Sequence, residues 1–140
     1  DDVEAALAAG ADGVHVGQDA DAVAVRARLG AERILGVSVG SPVEAAVAAS
    51  AGADYLGVTG WATPTKPEAR PAGLAGVAAV AAATDLPVVG IGGIDARNAA
   101  EVLAAGAAGV AVISAIAAAV DPVAATRAIA ESVARRAVRA

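Results

Sequence analysis

Two glycines and a serine are the clearest candidates for a phosphate site in this sequence. Gly92 and Gly93 directly follow the apolar run 87–91, and Ser114 directly follows the run 109–113. A glycine-rich turn lets backbone N–H groups approach phosphate oxygens, and the start of a helix adds donors and partial positive charge. The glycines alone would equally serve a tight turn, so their pairing with Ser114 is what predicts the phosphate site.

The segment 59–72 is a long connection in a chain whose other connections are short. Long connections of this kind often carry function. A lysine supplies a point charge that binds phosphate, and prolines stiffen the backbone around it. A solvated surface lysine is the alternative, but the position in the long connection favours phosphate binding. The groups concerned lie in the run Thr63-Pro64-Thr65-Lys66-Pro67.

A histidine, a serine and several aspartates complete the candidates. His15 is either a base or ligand, or a histidine whose ring nitrogens make structural hydrogen bonds. The sequence has one histidine, so a metal site built from several histidines is excluded. Asp1, Asp19 and Asp21 offer the oxygen ligands that Mg²⁺ prefers, although aspartates also cap helices. Ser38 has no histidine–aspartate pair in sequence, so a serine hydrolase triad is not supported.

The composition excludes several classes of protein. The 140 residues are 57% hydrophobic and 18% charged, which rules out an intrinsically disordered chain. The absence of cysteine excludes a disulfide framework, a thiolate zinc site and a cysteine nucleophile. A formal net charge of −5 argues against nucleic acid or an anionic membrane as the partner. Small phosphorylated molecules are the expected partners, and the sequence leaves open whether the chain forms a homo-oligomer.

Targeting and membrane signals are not expected. The chain opens on two aspartates rather than a basic, apolar leader, so we expect a cytoplasmic protein whose start lies upstream. The uncharged segment 102–120 is long enough to span a membrane, but Gly106 and Gly109 interrupt it. A helix, a turn, a strand and a second turn fit this segment better.

A repeated motif sets the order of the elements. Gly10, Gly52 and Gly106 each end an alanine-rich stretch of helical character and precede a short β-branched run. Such a glycine ends a helix in the left-handed conformation, and the run that follows forms a strand. Two further strands are predicted at 34–38 and 87–91. Helices are predicted at 21–29, from Pro42 after a capping box of Ser41 and Glu44, at 73–84, at 95–105 and from Pro122 towards Arg139.

An initial helix followed by five strand–helix units indicates an α/β fold with a parallel sheet. A doubly wound open sheet and an eight-stranded barrel are both built from such units. The chain supplies five strands, so it is either an unusual open sheet or the last five units of a (β/α)8 TIM barrel. In the second case residues 1–140 form a single domain, the C-terminal part of a barrel whose three N-terminal units are missing.

Four segments, taken in order, resemble the thiamine-phosphate synthase family. The glycine-rich segment occurs in many phosphate-binding barrels, whereas the Thr-Pro-Thr-Lys-Pro run in register with the other segments is specific. The resemblance spans essentially the whole chain and aligns it with the last five strands of that family's barrel. The segments are 1–4 with 10–19, Gly36-Val37-Ser38, 63–67, and 90–94 with 112–116.

The resemblance implies a transferase of thiamine biosynthesis. Such an enzyme joins hydroxymethylpyrimidine diphosphate to a thiazole phosphate and releases diphosphate with the help of Mg²⁺. By similarity, Asp1 is a Mg²⁺ ligand, and Ser38 and Lys66 contact the pyrimidine diphosphate and serve catalysis. The implied thiazole phosphate pocket consists of Thr63, Pro64, Thr65, Gly93, Ile113 and Ser114.

The sequence departs from the family at one metal position. The second Mg²⁺ ligand corresponds to Ala20, whose side chain has no oxygen, so Asp19 is the expected substitute and Asp21 the alternative. The family's first three strands, which carry groups that bind the diphosphate, have no counterpart here. Ala20 and the absence of those strands favour the alternative, a non-catalytic phospho-ligand binding module or an inactive remnant. Another alternative is a thiazole tautomerase-like relative on the same barrel. Such an enzyme would not need the 63–67 run, so the presence of that run argues against it.

Overall fold

A five-stranded parallel sheet forms the centre of the molecule. The structure is a computed structural model that describes residues 2–62 and 70–137, without the side chains of 135–137. Within these residues each strand pairs in parallel with the next one along the chain. The strands are β1 (Gly13–Val16), β2 (Ile34–Ser38), β3 (Tyr55–Thr59), β4 (Val88–Ile91) and β5 (Gly109–Ala111).

Helices alternate with the strands, as the sequence pattern predicts. In the described residues they are α1 (Val3–Ala8), α2 (Ala22–Leu29), α3 (Pro42–Ser50), α4 (Gly73–Ala82), α5 (Ala99–Ala104), α6 (Ser114–Ala117) and α7 (Pro122–Ala137). The strand order is sequential, whereas a doubly wound sheet reverses its order at a switch point. With right-handed crossovers, sequential order places all the connecting helices on one face of the sheet. The fold is therefore α/β with a parallel sheet, consistent with a TIM-barrel-like protein.

Alternate strand residues face these helices and form the core. Leu35, Val37, Leu56, Val58 and Val88 are each at most 5% exposed. Full burial of one such side chain stabilises the fold by about 1.5–3 kcal/mol. The helices bring mainly small or β-branched residues to this layer, including Ala45, Ala48, Val77, Val80, Ala99 and Val102. The alanines allow close approach of helix to sheet, which is how an alanine-rich sequence builds a continuous core.

The predicted helix ends and caps are largely observed. Gly10, Gly52 and Gly106 have φ angles of 67°, 86° and 106°, which confirms the left-handed helix ends. Ser41 Oγ accepts the Glu44 N–H at 3.3 Å, and Pro42 is the first residue of α3.

The capping box differs from the prediction in one bond. The carboxylate of Glu44 accepts the N–H of Gly40 at 2.7 Å, one residue before the cap, and the side-chain amide of Gln18, also at 2.7 Å. The two donors lower the pKa of Glu44, Gln18 having the larger effect. Glu44 thus ties the start of α3 to the loop after β1.

Some predicted elements are longer than the observed ones. Helix α5 begins at Ala99 rather than at Asp95, because Asp95 N–H donates to Asn98 Oδ1 at 2.9 Å and closes a turn before the helix. Strand β5 ends at Ala111, two residues short of the predicted run. The segment 102–120 nevertheless forms a helix end, a turn and a strand as expected, and the short helix α6 follows the strand. In the described part of the chain, none of the helices combines the length and apolarity that crossing a bilayer requires.

Candidate functional site

The described candidates lie where the strands end at the carboxyl edge of the sheet. Ser38 is the last residue of β2, Gly92 and Gly93 follow β4, and Ile113 and Ser114 follow β5. Strands β4 and β5 are paired in parallel, so Gly93 and Ile113 stand at equivalent positions beyond their ends. The structure therefore places the two parts of the predicted phosphate site on neighbouring strands, at the edge where α/β barrels carry their active sites.

The Gly92–Gly93 turn is shaped by its contact with Trp61. Both glycines have positive φ angles, 82° and 63°, which residues with a Cβ rarely adopt. A Cβ on Gly93 would lie 2.7 Å from the Cβ of Trp61, and one on Gly92 would lie 3.0 Å from the Trp61 carbonyl oxygen. The Trp61 N–H donates to the Gly92 carbonyl at 3.1 Å. Glycine is thus required here for both conformation and space.

An asparagine braces the same turn from the other side. Asn98 Nδ2 donates to the Gly93 carbonyl at 3.0 Å, while Asn98 Oδ1 accepts the Asp95 N–H. The Arg97 guanidinium pairs with the Asp95 carboxylate at 2.6 Å and, as the largest cause, lowers the pKa of Asp95. We did not predict a role for Asn98. Its position just before an alanine-rich helix, five residues after Gly93, is the signal that could have indicated one.

Ser114 begins α6, but that helix is a single turn. The N–H groups of Ile116 and Ala117 both donate to the Ile113 carbonyl, at 3.1 and 2.8 Å. Because the opposite end of the helix dipole lies one turn away, the partial positive charge at Ser114 is smaller than a long helix would give. The Ile113 residue is 61% exposed, and Ser114 is exposed too, so both are accessible to a ligand.

A hydrogen-bonded chain of three side chains lies on the sheet face opposite the connecting helices. His15 Nδ1 lies 2.9 Å from Tyr55 Oη, and His15 Nε2 lies 2.9 Å from Ser38 Oγ. The three residues come from the adjacent strands β1, β2 and β3, and His15, on β1, hydrogen-bonds to both of the others. His15 is thus held by hydrogen bonds at both ring nitrogens, the structural alternative foreseen for it, yet one partner is a candidate site residue.

Two glycines make room for the imidazole. A Cβ on Gly36 would overlap the Tyr55 ring and His15 Nδ1, and a Cβ on Gly57 would lie 2.9 Å from His15 Cε1. The His15 ring therefore occupies space that any larger residue on β2 or β3 would fill. Burial raises the pKa of the Tyr55 phenol, so Tyr55 keeps its proton near neutral pH.

The sequence did not reveal the Ser38–His15 pair. The two residues are 23 positions apart, and their contact depends on the lateral register of β1 and β2. Glycines that face a polar residue on the neighbouring strand are the signal that could have suggested it. At the other ring nitrogen, Nδ1, His15 meets the phenol of Tyr55, where a hydrolase triad would have a carboxylate.

The acidic candidates are dispersed. Asp19 is exposed in the turn after β1, whereas Asp21 accepts the Ala24 N–H at 3.0 Å and caps α2. Among the described residues, no cluster of three histidine, cysteine or acidic side chains is arranged to hold a metal ion. Asp19 is therefore the more available of the two as a ligand. The predicted site residues Asp1, Thr63, Pro64, Thr65 and Lys66 lie outside the described residues.

The parallel sheet with sequential strand order, and polar groups at its carboxyl edge, are typical of α/β-barrel proteins. A family model described as thiamine monophosphate synthase matches residues 1–116. The chain therefore belongs to the thiamine monophosphate synthase family.

Similar proteins carry related names. Thiamine-phosphate synthase from Chlorobium limicola is 60% identical over 58 residues, 41% of this chain and 28% of that protein. Thiamine-phosphate synthase from Chloroflexus aurantiacus is 54% identical over 78 residues, 54% of this chain and 36% of that protein. These matches span about a quarter to a third of the curated relatives' length.

Solved structures extend the similarity over nearly the whole chain. Thiamine phosphate pyrophosphorylase from Pyrococcus furiosus superimposes with a TM-score of 0.85 at 42% identity, covering 96% of this chain and 65% of that one. The structure of 3-hexulose-6-phosphate synthase from Salmonella typhimurium gives a TM-score of 0.77 at 22% identity, over 95% of this chain and 66% of that one. This second likeness concerns the fold alone.

Proposed function

We propose that this chain is the C-terminal five-unit part of a thiamine-phosphate synthase barrel, and that three further strand–helix units complete it. The 96% coverage of this chain against 65% of the Pyrococcus furiosus protein, at 42% identity, is the observation that carries the proposal. The sheet supports it, since its polar face, with Ser38, His15 and Tyr55, is the face that would line a closed barrel.

The proposed reaction couples hydroxymethylpyrimidine diphosphate to a thiazole phosphate. The bond between the pyrimidinylmethyl carbon and the diphosphate oxygen breaks, and diphosphate leaves with the bonding electrons. The lone pair of the thiazole nitrogen then forms the new C–N bond, which gives thiamine phosphate. Ser38 and Lys66 bind the pyrimidine diphosphate in this proposal, and the Lys66 ammonium offsets the charge that develops on the leaving group.

The thiazole phosphate is assigned to the edge formed by β4 and β5. Gly93, Ile113 and Ser114 stand together beyond these strands, and the run Thr63-Pro64-Thr65 completes the proposed pocket. The bracing of Gly93 by Asn98 supports this assignment, because a fixed carbonyl fixes the peptide plane that follows it. A preorganised backbone binds phosphate without a further ordering cost.

The residues at the end of β1 are compatible with Mg²⁺. This ion retains several waters and needs only one or two protein carboxylates beside substrate phosphates. Asp19 is an exposed carboxylate in that position, and Asp1 is proposed as the second ligand. When bound, Mg²⁺ would neutralise diphosphate charge.

Binding of the thiazole phosphate is testable with the one tryptophan of the sequence. Trp61 contacts the Gly92–Gly93 turn, so its fluorescence should change saturably on titration with thiazole phosphate. Ser114→Ala should weaken binding by about tenfold, because a hydrogen bond to a charged group is lost. The matched control Ser50→Ala, an exposed serine at the end of α3, should leave binding unchanged. A flat titration, or equal effects of the two changes, would contradict the assignment.

A second titration separates the enzyme from a simple binding protein. Hydroxymethylpyrimidine diphosphate should bind more tightly with Mg²⁺ than with a chelator, as measured by calorimetry. Thiazole phosphate binding without any Mg²⁺-dependent diphosphate binding would instead indicate a non-catalytic phospho-ligand module.

A further inference from the structure

We propose that Tyr55 and His15 are positioning residues that direct the hydroxyl proton of Ser38 toward the substrate. In this arrangement the Tyr55 O–H donates to His15 Nδ1, and His15 Nε2–H donates to Ser38 Oγ. The Ser38 O–H then donates outward, to an acceptor atom of the ligand. The inference deepens the proposed function, on which the identity of the ligand rests.

The geometry fixes the imidazole between its two partners. Both ring nitrogens are 2.9 Å from a hydroxyl oxygen, and the partners lie on opposite sides of the ring, on β2 and β3. Gly36 and Gly57 leave a slot that the ring of His15 fills. Because the slot has glycine where other residues would place a Cβ, the ring is packed against backbone, which limits its reorientation.

The chemistry of the Tyr55 and Ser38 hydroxyls decides which group donates in each hydrogen bond. A phenol is a stronger donor than an aliphatic hydroxyl, and its oxygen is the poorer acceptor of the two. The raised pKa of Tyr55, caused by burial, keeps the phenol proton available to donate at neutral pH. The opposite direction would make the Tyr55 oxygen accept from Nδ1–H and would leave the phenol proton needing another acceptor in a half-buried position.

The position of Ser38 gives this direction a consequence for binding. Ser38 ends β2 and lies two residues nearer the carboxyl edge than Gly36, which is the register partner of His15. A hydroxyl that already accepts from His15 Nε2–H is free to present its own proton to diphosphate oxygens or a pyrimidine nitrogen. A hydroxyl that donated to His15 would instead present lone pairs, which an anionic ligand would repel.

Nuclear magnetic resonance can determine the direction without any ligand, because the sequence contains one histidine. In the full chain labelled with ¹⁵N-histidine at a pH of about 8.5, where imidazole is neutral, we expect the Nε2–H tautomer alone. Tyr55→Phe should move the Nδ1 resonance to the position of a nitrogen without a hydrogen bond and should produce a mixture of tautomers. A dominant Nδ1–H tautomer, or a spectrum unchanged by Tyr55→Phe, would overturn the inference.

A double-mutant cycle tests whether Tyr55 acts through Ser38. Tyr55→Phe should weaken binding of hydroxymethylpyrimidine diphosphate by about tenfold, yet by less than about twofold in a Ser38→Ala background. His15→Gln retains a donor near the Nε2 position and should bind more tightly than His15→Leu. Equal effects of Tyr55→Phe in both backgrounds would overturn the positioning role, and thermal unfolding of each variant identifies any loss of fold.

The two proposals fail separately. If the wild-type chain does not bind the pyrimidine diphosphate, the proposed function fails, while the tautomer and its response to Tyr55→Phe still decide the direction of the hydrogen-bonded chain. If binding occurs but the tautomer is Nδ1–H, the proposed function stands and the positioning role fails.

Discussion

Arg26 on α2 joins several chain segments through one guanidinium group. It donates to the carbonyls of Gly30, Arg33 and Gly52 at 2.7–3.0 Å and to the Asp54 carboxylate at 2.6 Å. Its side chain is 18% exposed. The three carbonyls lie after α2, before β2 and after α3, so the guanidinium holds together turns that the helix and strand hydrogen bonds do not connect.

Arg26→Ala is therefore expected to destabilise the fold by about 2–4 kcal/mol. A partly buried hydrogen bond to a charged group contributes about 1.5–3 kcal/mol. Once the guanidinium is removed, water replaces some of its hydrogen bonds to the carbonyls, so the loss is smaller than the sum over all the bonds. With a urea m-value of about 2 kcal/mol per molar, the unfolding midpoint falls by about 1–2 M. Far-UV circular dichroism during urea unfolding measures this shift.

Arg28→Ala is the matched control. Arg28 lies on the same helix and makes two bonds of 2.6 and 2.7 Å to Glu4, but the two side chains are 60% and 67% exposed. Both changes replace arginine by alanine in α2, so the helix propensity changes equally. A solvent-exposed ion pair contributes little, so the midpoint should move much less than for Arg26→Ala. Equal shifts for the two variants would refute the reasoning from burial and carbonyl contacts.

Two further predictions concern acid stability and packing. The N–H of Leu35 is the main cause of the lowered pKa of Asp54. Because the pKa of Asp54 is lower in the folded than in the unfolded state, the ionised carboxylate stabilises the fold above pH about 4, and this stabilisation is lost as pH falls through the folded pKa. Asp54→Asn should thus flatten the loss of stability below pH about 4 in urea titrations at stepped pH, and an unchanged slope would contradict this. An added Cβ on Gly90 would overlap Val102 on α5, so Gly90→Ala should cost about 1–3 kcal/mol. A Cβ added to Gly109 meets no atom of the described residues within 4 Å, so Gly109→Ala should change the unfolding free energy by less than about 1 kcal/mol. A similar loss of stability at Gly90 and Gly109 would argue against the packing account.

The elements were predictable because each has a local cause. The glycines that end α1, α3 and α5 require positive φ, and the β-branched runs after them have no helical period. Strand β2 is observed at the predicted residues, 34–38. The start of α5 was misplaced because Asp95, a typical helix cap, instead forms a hydrogen-bonded turn with Asn98.

The hydrogen bonds that join Tyr55, His15 and Ser38 on the sheet were not predictable in the same way. Periodicity tells which face of a strand a residue occupies, but the contact of His15 with Ser38 and Tyr55 depends on how neighbouring strands are aligned. Tyr55 lies in the run that follows Gly52, and nothing in that run indicates a polar contact across the sheet. The motif at Gly93 and Ser114 was easier to recognise, because parallel strands always bring their following loops to one edge.

Formation of thiamine phosphate by a completed barrel is the most direct test of the proposed function. The chain would be joined to the part of the Pyrococcus furiosus protein that it does not cover, and product would be measured with both substrates and Mg²⁺. We expect activity that falls at least about 100-fold with Lys66→Ala, and that is retained in Arg70→Ala, an exposed cation of the same connection. A folded fusion that forms no thiamine phosphate, or one whose rate does not change with Lys66→Ala, would contradict the account.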